Sequence, residues 1–274
     1  MKKKKNLYIL VAFMALFCVV LTACGKKDAD NSVQKIKDKK TLVVGTSADY
    51  APFEFPVVQN GQKKITGYDM LLANKIADQL GVKLKIVNTE FPSLVSELKN
   101  NKVDIVMAGM VSTKERKKAV AFSKSYFNVQ NQVLVRKGEG NKFQDAATDF
   151  KNKAVGVQQT TTQEKIAKEQ MKGSNVVSEG KVTSLTTELR TNKLDAVVLE
   201  NTVAATYVKK FPEQYEIAKA KLNTPKDIQN INVATRKSDK KLTAEINKVI
   251  NKEEKNGGLK QMLQKAQQLQ LESN

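Results

Sequence analysis

The stretch Leu98-Lys-Asn-Asn-Lys-Val-Asp104-Ile-Val106 returns later in the chain as Leu189-Arg-Thr-Asn-Lys-Leu-Asp195-Ala-Val197. Each copy reads as the end of a helix, a tight polar turn and a short apolar strand. The copies stand too far apart for a short-period solenoid, so the pair predicts two similarly built lobes. The surrounding pattern agrees. Leu42–Gly45, Val82–Val87, Val103–Met107, Ala154–Val157 and Ala196–Leu199 read as buried strands. Between them, Asp69–Leu80, Ser93–Asn100, Thr162–Met171 and Ser184–Thr191 read as helices. The first of these puts Met70, Ala73, Ile76, Ala77 and Leu80 on one face and meets its stop at Gly81. Strands alternating with helices imply an α/β fold with largely parallel pairing.

The N-terminus has its own logic. Lys2–Lys5 precede an apolar run, Leu7–Leu21, which as a helix would reach only about 22 Å, short of the ~30 Å hydrocarbon core. It reads as a secretion leader. Leu21-Thr22-Ala23-Cys24 resembles a bacterial lipoprotein processing site, at which the Cys24 thiol receives a diacylglyceryl group before cleavage. Two acyl chains suffice for lasting attachment. Residues 1–23 are therefore expected to be a signal peptide, Cys24 the lipidated residue, and residues 24–40 a polar, flexible tether. The expected location is the outer face of the cytoplasmic membrane.

Composition removes several kinds of chemistry. With Cys18 in the leader and Cys24 acylated, no thiol remains for a disulfide or a metal site. The chain has no His, which excludes imidazole acid–base catalysis and His metal ligation. No GxSxG, GxxxxGK or GxGxxG pattern occurs. Ser96-Glu97-Leu98-Lys99 fits SxxK without a companion KTG, and reads as a solvated helix face. The formal charge of +19 is carried almost wholly by Lys, spread evenly and without aromatic interleaving, so a basic surface facing an anionic envelope is favoured over nucleic-acid binding. Arginine is scarce: Arg116, Arg136, Arg190 and Arg236.

Five blocks in order carry a family resemblance: Gly45–Glu54, Gly67–Ala77, Val103–Arg116, Val155–Gln163 and Asp195–Glu200. Over residues 41–270 the chain resembles the solute-binding proteins of polar amino-acid ABC importers, with the type II periplasmic-binding-protein fold. The resemblance implies two α/β lobes around an interlobe cleft, joined by crossing segments near Asn128–Val135 and Asn230–Thr235. Lobe 1 would comprise residues 41–131 and 230–274, and lobe 2 residues 132–229. It further implies a monomer that closes on its ligand and docks on a permease driven by an ATPase, without cofactor, metal or catalysis.

Carried over by motif, Arg116 grips the ligand α-carboxylate with its planar fork, and Thr162, with Thr161 beside it, meets the same group. Thr113 is expected to cap the helix that carries Arg116. Gly109 offers a backbone carbonyl to the α-amine, which Glu200 neutralises. Tyr50 and Phe91 sandwich the side chain, and Gln158 reads it, while Phe53 belongs to the core. Four positions depart from the family pattern. Glu200 stands for the commoner Asp, Val111 for a Ser or Thr, Ser47 for an Asp found in binders of basic or amide ligands, and Thr160 for a Gly, narrowing the pocket. The loss of the Asp at Ser47 favours a polar or uncharged L-amino acid, with a basic amino acid as the alternative. A dehydratase-like enzyme or a sensory or adhesive lipoprotein on the same fold are the readings from other classes.

Overall fold

The computed structural model describes residues 30–59 and 61–273. The leader, Cys24 and the first residues of the expected tether, up to residue 29, lie outside these residues. The last part of that tether is ordered, which corrects the expectation. Ser32–Asp38 forms helix α1, with Ile36 buried and Val33 packed against the core. Those two apolar residues at i, i+3 spacing are enough to fix a short helix to a neighbouring surface. Lys39 Nζ then reaches the Asp104 carboxylate at 2.5 Å.

Two five-stranded sheets follow, one per lobe. In lobe 1, β1 (Thr41–Thr46) leads through the hairpin β2 (Phe55–Gln59) and β3 (Gln62–Thr66) to α2 (Tyr68–Leu80). Gly81 ends α2 in the left-handed conformation. Next come β4 (Lys83–Asn88), α3 (Leu94–Lys99), β5 (Ile105–Val106), α4 (Lys114–Ala119) and β6 (Ala121–Asn128). The chain crosses at Val129 and Gln130 into lobe 2, formed by β7 (Asn131–Arg136), β8 (Ala154–Gln158), α5 (Thr162–Gln170), β9 (Asn175–Glu179), α6 (Val182–Arg190), β10 (Ala196–Glu200), α7 (Asn201–Lys210) and β11 (Tyr215–Ile217). It returns as β12 (Asn230–Thr235) and ends in α8 (Lys240–Lys255) and α9 (Gly258–Glu272). The sheet orders are β4-β1-β5-β12-β6 and β11-β7-β10-β8-β9.

Pairing is parallel only in half of each sheet. β1 runs parallel to β4 and β5, and β8 parallel to β9 and β10, with helices returning the chain between them. The strands beside the crossings enter from the opposite direction: β12 is antiparallel to β5 and β6, and β7 to β10 and β11. The expectation of largely parallel pairing thus holds for β4-β1-β5 and β10-β8-β9 and fails for the pairs made by β12 and β7.

The two recurring stretches occupy equivalent joints, α3 to β5 and α6 to β10. Asn101 and Asn192 take the left-handed turn position, at φ 58° and 60°. Asp104 accepts from Val43 N–H at 2.7 Å, and Asp195 from Ala154 N–H at 2.8 Å. An arginine from elsewhere in each lobe pins the joint. Arg236 donates to the carbonyls of Val103 (2.7 Å) and Leu98 (3.3 Å), and Arg136 to those of Leu189 (3.0 Å) and Leu194. Two of the four arginines therefore tie a helix-end carbonyl to a carbonyl just ahead of the following strand.

Candidate functional site

A cavity lies where the carboxyl ends of β1, β5, β8 and β10 face each other across the lobes. Its wall contains every residue the resemblance implied: Ser47, Tyr50, Phe91, Gly109, Val111, Arg116, Gln158, Thr161, Thr162 and Glu200. The elements explain the convergence. Ser47 and Tyr50 follow β1, Gly109 and Val111 follow β5, Gln158 ends β8 and Glu200 ends β10. Open α/β sheets gather ligands at this edge. The lobes touch here, leaving only ≈ 10 Å³ for the centre of a water molecule.

Arg116 lies across the lobe boundary. Its Nη1 donates to Val111 O of its own lobe at 2.7 Å and its Nη2 to Thr160 O of the other at 3.0 Å. The guanidinium stands 5.0 Å from the centre of the Phe91 ring. Thr113 caps α4 as expected, its hydroxyl accepting from Arg116 N–H at 3.1 Å. Burial lowers the Arg116 pKa to about 10, which still leaves it cationic at neutral pH.

The second lobe contributes through a cap and a strand end. The Thr161 hydroxyl accepts from Glu164 N–H, opening α5 at the cavity, and donates to Gln158 O. Gln158 Nε2 is engaged by Gly180 O at 3.1 Å. Thr160 does not reach the cavity wall. It adopts φ +63°, unusual for a β-branched residue, and turns its carbonyl to Arg116. Gly109 is also left-handed, at φ 57°, and a Cβ there would stand 3.0 Å from the Tyr50 ring, so the aromatic wall needs a glycine beneath it.

Two acids on the wall were not expected there, Asp49 and Glu54. Glu54 has no exposed surface, and neither carboxylate oxygen has a hydrogen-bond partner. Behind it Asp69, equally buried, accepts from Gly109 N–H (2.9 Å) and the Tyr126 hydroxyl (2.8 Å). The sequence carried a signal, since Glu54 lies within Pro52-Phe53-Glu54-Phe55-Pro56, a charge flanked by residues that seek the interior.

Burial dominates the titration of this cluster. It raises Glu54 well above the usual carboxylate range, aided by the Asp69 and Asp49 charges. It raises Glu200 to about 8, with hydrogen bonds from Tyr50 and Gln163 pulling the other way, and Asp69 to about 6, against the hydrogen bonds it accepts. An acid with a raised folded-state pKa supports the fold below its unfolded pKa, and that support is lost as pH rises through the folded value. Because the chain has no His, no side chain left in its ordinary range titrates between about pH 5 and pH 8. The melting temperature without added solute is therefore expected to fall between pH 5 and pH 8, and Glu200→Gln to reduce that slope. A flat profile in the unsubstituted protein would remove the buried-acid account.

Known proteins share this architecture. The arginine-binding extracellular protein ArtP of Bacillus subtilis is 34% identical over 96% of this chain and 97% of its own. The L-cystine-binding protein TcyJ of Escherichia coli K12 is 29% identical over 93% and 94%. A crystal structure of an amino acid ABC transporter substrate-binding protein from Streptococcus pneumoniae, bound to L-arginine, superposes with a TM-score of 0.83 at 34% identity, covering 86% of this chain and 98% of that one. Residues 42–268 match a single family over both lobes, and the chain belongs to the bacterial extracellular solute-binding proteins, family 3.

Proposed function

We propose that this protein is the solute-binding component of an ABC importer, taking up an L-amino acid with a cationic side chain. The observation that carries the reading is the charge balance of the cavity: the carboxyl groups of Asp49, Glu54 and Glu200 surround it, and Arg116 is the one cation on its wall among the described residues. A free amino acid brings one carboxylate, for Arg116, and one ammonium, for Glu200. Glu54, buried and unpartnered, then demands either a proton or a second cation. Relatives named for binding arginine support the same choice.

The polar or uncharged ligand stands second. It rests on Ser47 and Gln158 reading a side chain, but Ser47 Oγ is held by Asp49 at 3.0 Å and Gln158 Nε2 by Gly180 O. Lipidation at Cys24 would keep the protein at the outer face of the cytoplasmic membrane, beside its permease and ATPase partners. Mass spectrometry of the membrane-bound protein tests that part: no diacylglyceryl mass on Cys24 would refute it.

Calorimetric titration with L-arginine, L-lysine, L-glutamine and L-serine tests the ligand class. The basic amino acids are expected to bind at least tenfold more tightly than glutamine, about 1.4 kcal/mol. Glu54→Gln should weaken L-arginine by about 2 kcal/mol or more while changing L-glutamine little. Tighter binding of glutamine or serine by the unsubstituted protein would overturn the cationic reading in favour of the polar one.

A further inference from the structure

The small interlobe cavity adjoins a far larger cleft of ≈ 870 Å³ that also runs between the lobes, with Ala51, Phe55 and Asn88 on one side and Thr186, Tyr207 and Tyr215 on the other. Only Ser47 and Asp49 belong to the walls of both. At the partition between them a bond crosses the lobes: Asp49 Oδ2 accepts the N–H of Val182 at 2.6 Å.

Val182 is the first residue of α6. An N-terminal helix turn leaves its amide groups without intrahelical acceptors, and a Ser, Thr, Asp or Asn at the preceding position normally satisfies one. Here that position is Lys181, whose side chain makes no capping bond. The helix of lobe 2 is capped instead by a carboxylate of lobe 1. Ser47 Oγ steadies the second oxygen of that carboxylate at 3.0 Å. A negative charge at this helix end also meets the favourable end of the helix dipole.

We propose that Asp49 is a positioning residue that latches the lobes at the partition, so that breaking its bond to Val182 opens the inner cavity to the outer cleft and sets the rate at which solute leaves. The chain has placed a cap on one lobe and its helix on the other, so the helix end is satisfied only while the lobes meet. The bond is present without solute and re-forms behind it once the solute has entered, so a bound solute leaves only when the bond breaks.

The kinetic arm of the test rests on the arginine reading above, and uses L-arginine as the probe. In stopped-flow measurements, Asp49→Ala is expected to release L-arginine roughly tenfold faster than the parent. Asp49→Asn should restore most of the slow release, because Asn caps helices about as well as Asp. The second arm needs no solute: hydrogen exchange at the Val182 amide, followed by NMR, should be slow in the unsubstituted protein and in Asp49→Asn, and fast in Asp49→Ala. Rapid exchange of Val182 in the unsubstituted protein, or unchanged release from Asp49→Ala, would overturn the latch. If L-arginine does not bind at all, the ligand assignment fails, and Val182 protection alone decides the latch.

Discussion

Arg116→Ala should lower affinity for the α-amino acid ligand by about 3–5 kcal/mol, between two and nearly four powers of ten in Kd. Two separate losses make the effect large. The ligand carboxylate would lose a planar two-pronged donor in a site shielded from water, where an unpaired charge is costly. The contacts to Val111 O and Thr160 O would go with it, and with them a tie between the lobes. Arg116→Lys separates the two, since it keeps the charge and loses the fork, and should fall between the parent and the alanine variant. Calorimetric titration reads both. An alanine variant within threefold of the parent would show that the carboxylate sits elsewhere.

Gly67→Ala is the largest effect expected on the fold itself. Gly67 adopts φ 128° and ψ 179°, a region that side chains other than glycine avoid, and a Cβ there would collide with the carbonyl of Phe53, standing 2.6 Å from its carbon and 2.9 Å from Glu54 N. Backbone strain of about 1–3 kcal/mol and the steric overlap, worth a similar amount, should cost about 3 kcal/mol or more. The collision falls on the backbone that carries Glu54, which Tyr68 N–H and Asp69 N–H hold through Pro52 O and Phe53 O. Binding should therefore weaken along with stability. Urea unfolding measures the first and titration the second. An unchanged midpoint would mean that the Phe53–Glu54 turn yields freely.

The joints were legible because each is local: helix end, left-handed Asn, Asp and strand follow one another within a few residues. Their pinning by Arg236 and Arg136 was not, because those residues are distant in sequence and reach the joints only through β12 and β7. The direction of the crossing strands was hidden for the same reason, since β12 pairs with β6 across the whole of the second lobe. α1 escaped notice because Val33 and Ile36 are too few to raise a periodic signal. At the site, the motif blocks brought forward the residues that now share the cavity wall. They did not mark Asp49 and Glu54, whose importance comes from what surrounds them: an opposing helix end for one and the absence of any partner for the other.

The interleaving of strands has a consequence for synthesis. The lobe 2 sheet uses one uninterrupted run, from Asn131 to Ile217, whereas the lobe 1 sheet needs β12, made after all of lobe 2. β12 lies between β5 and β6 and pairs with both. A chain emerging from N- to C-terminus therefore presents the first lobe with its central seam open until residue 235 appears. The lobe begun second is the one that can be completed first, and β5 and β6 present unpaired edges in the interval.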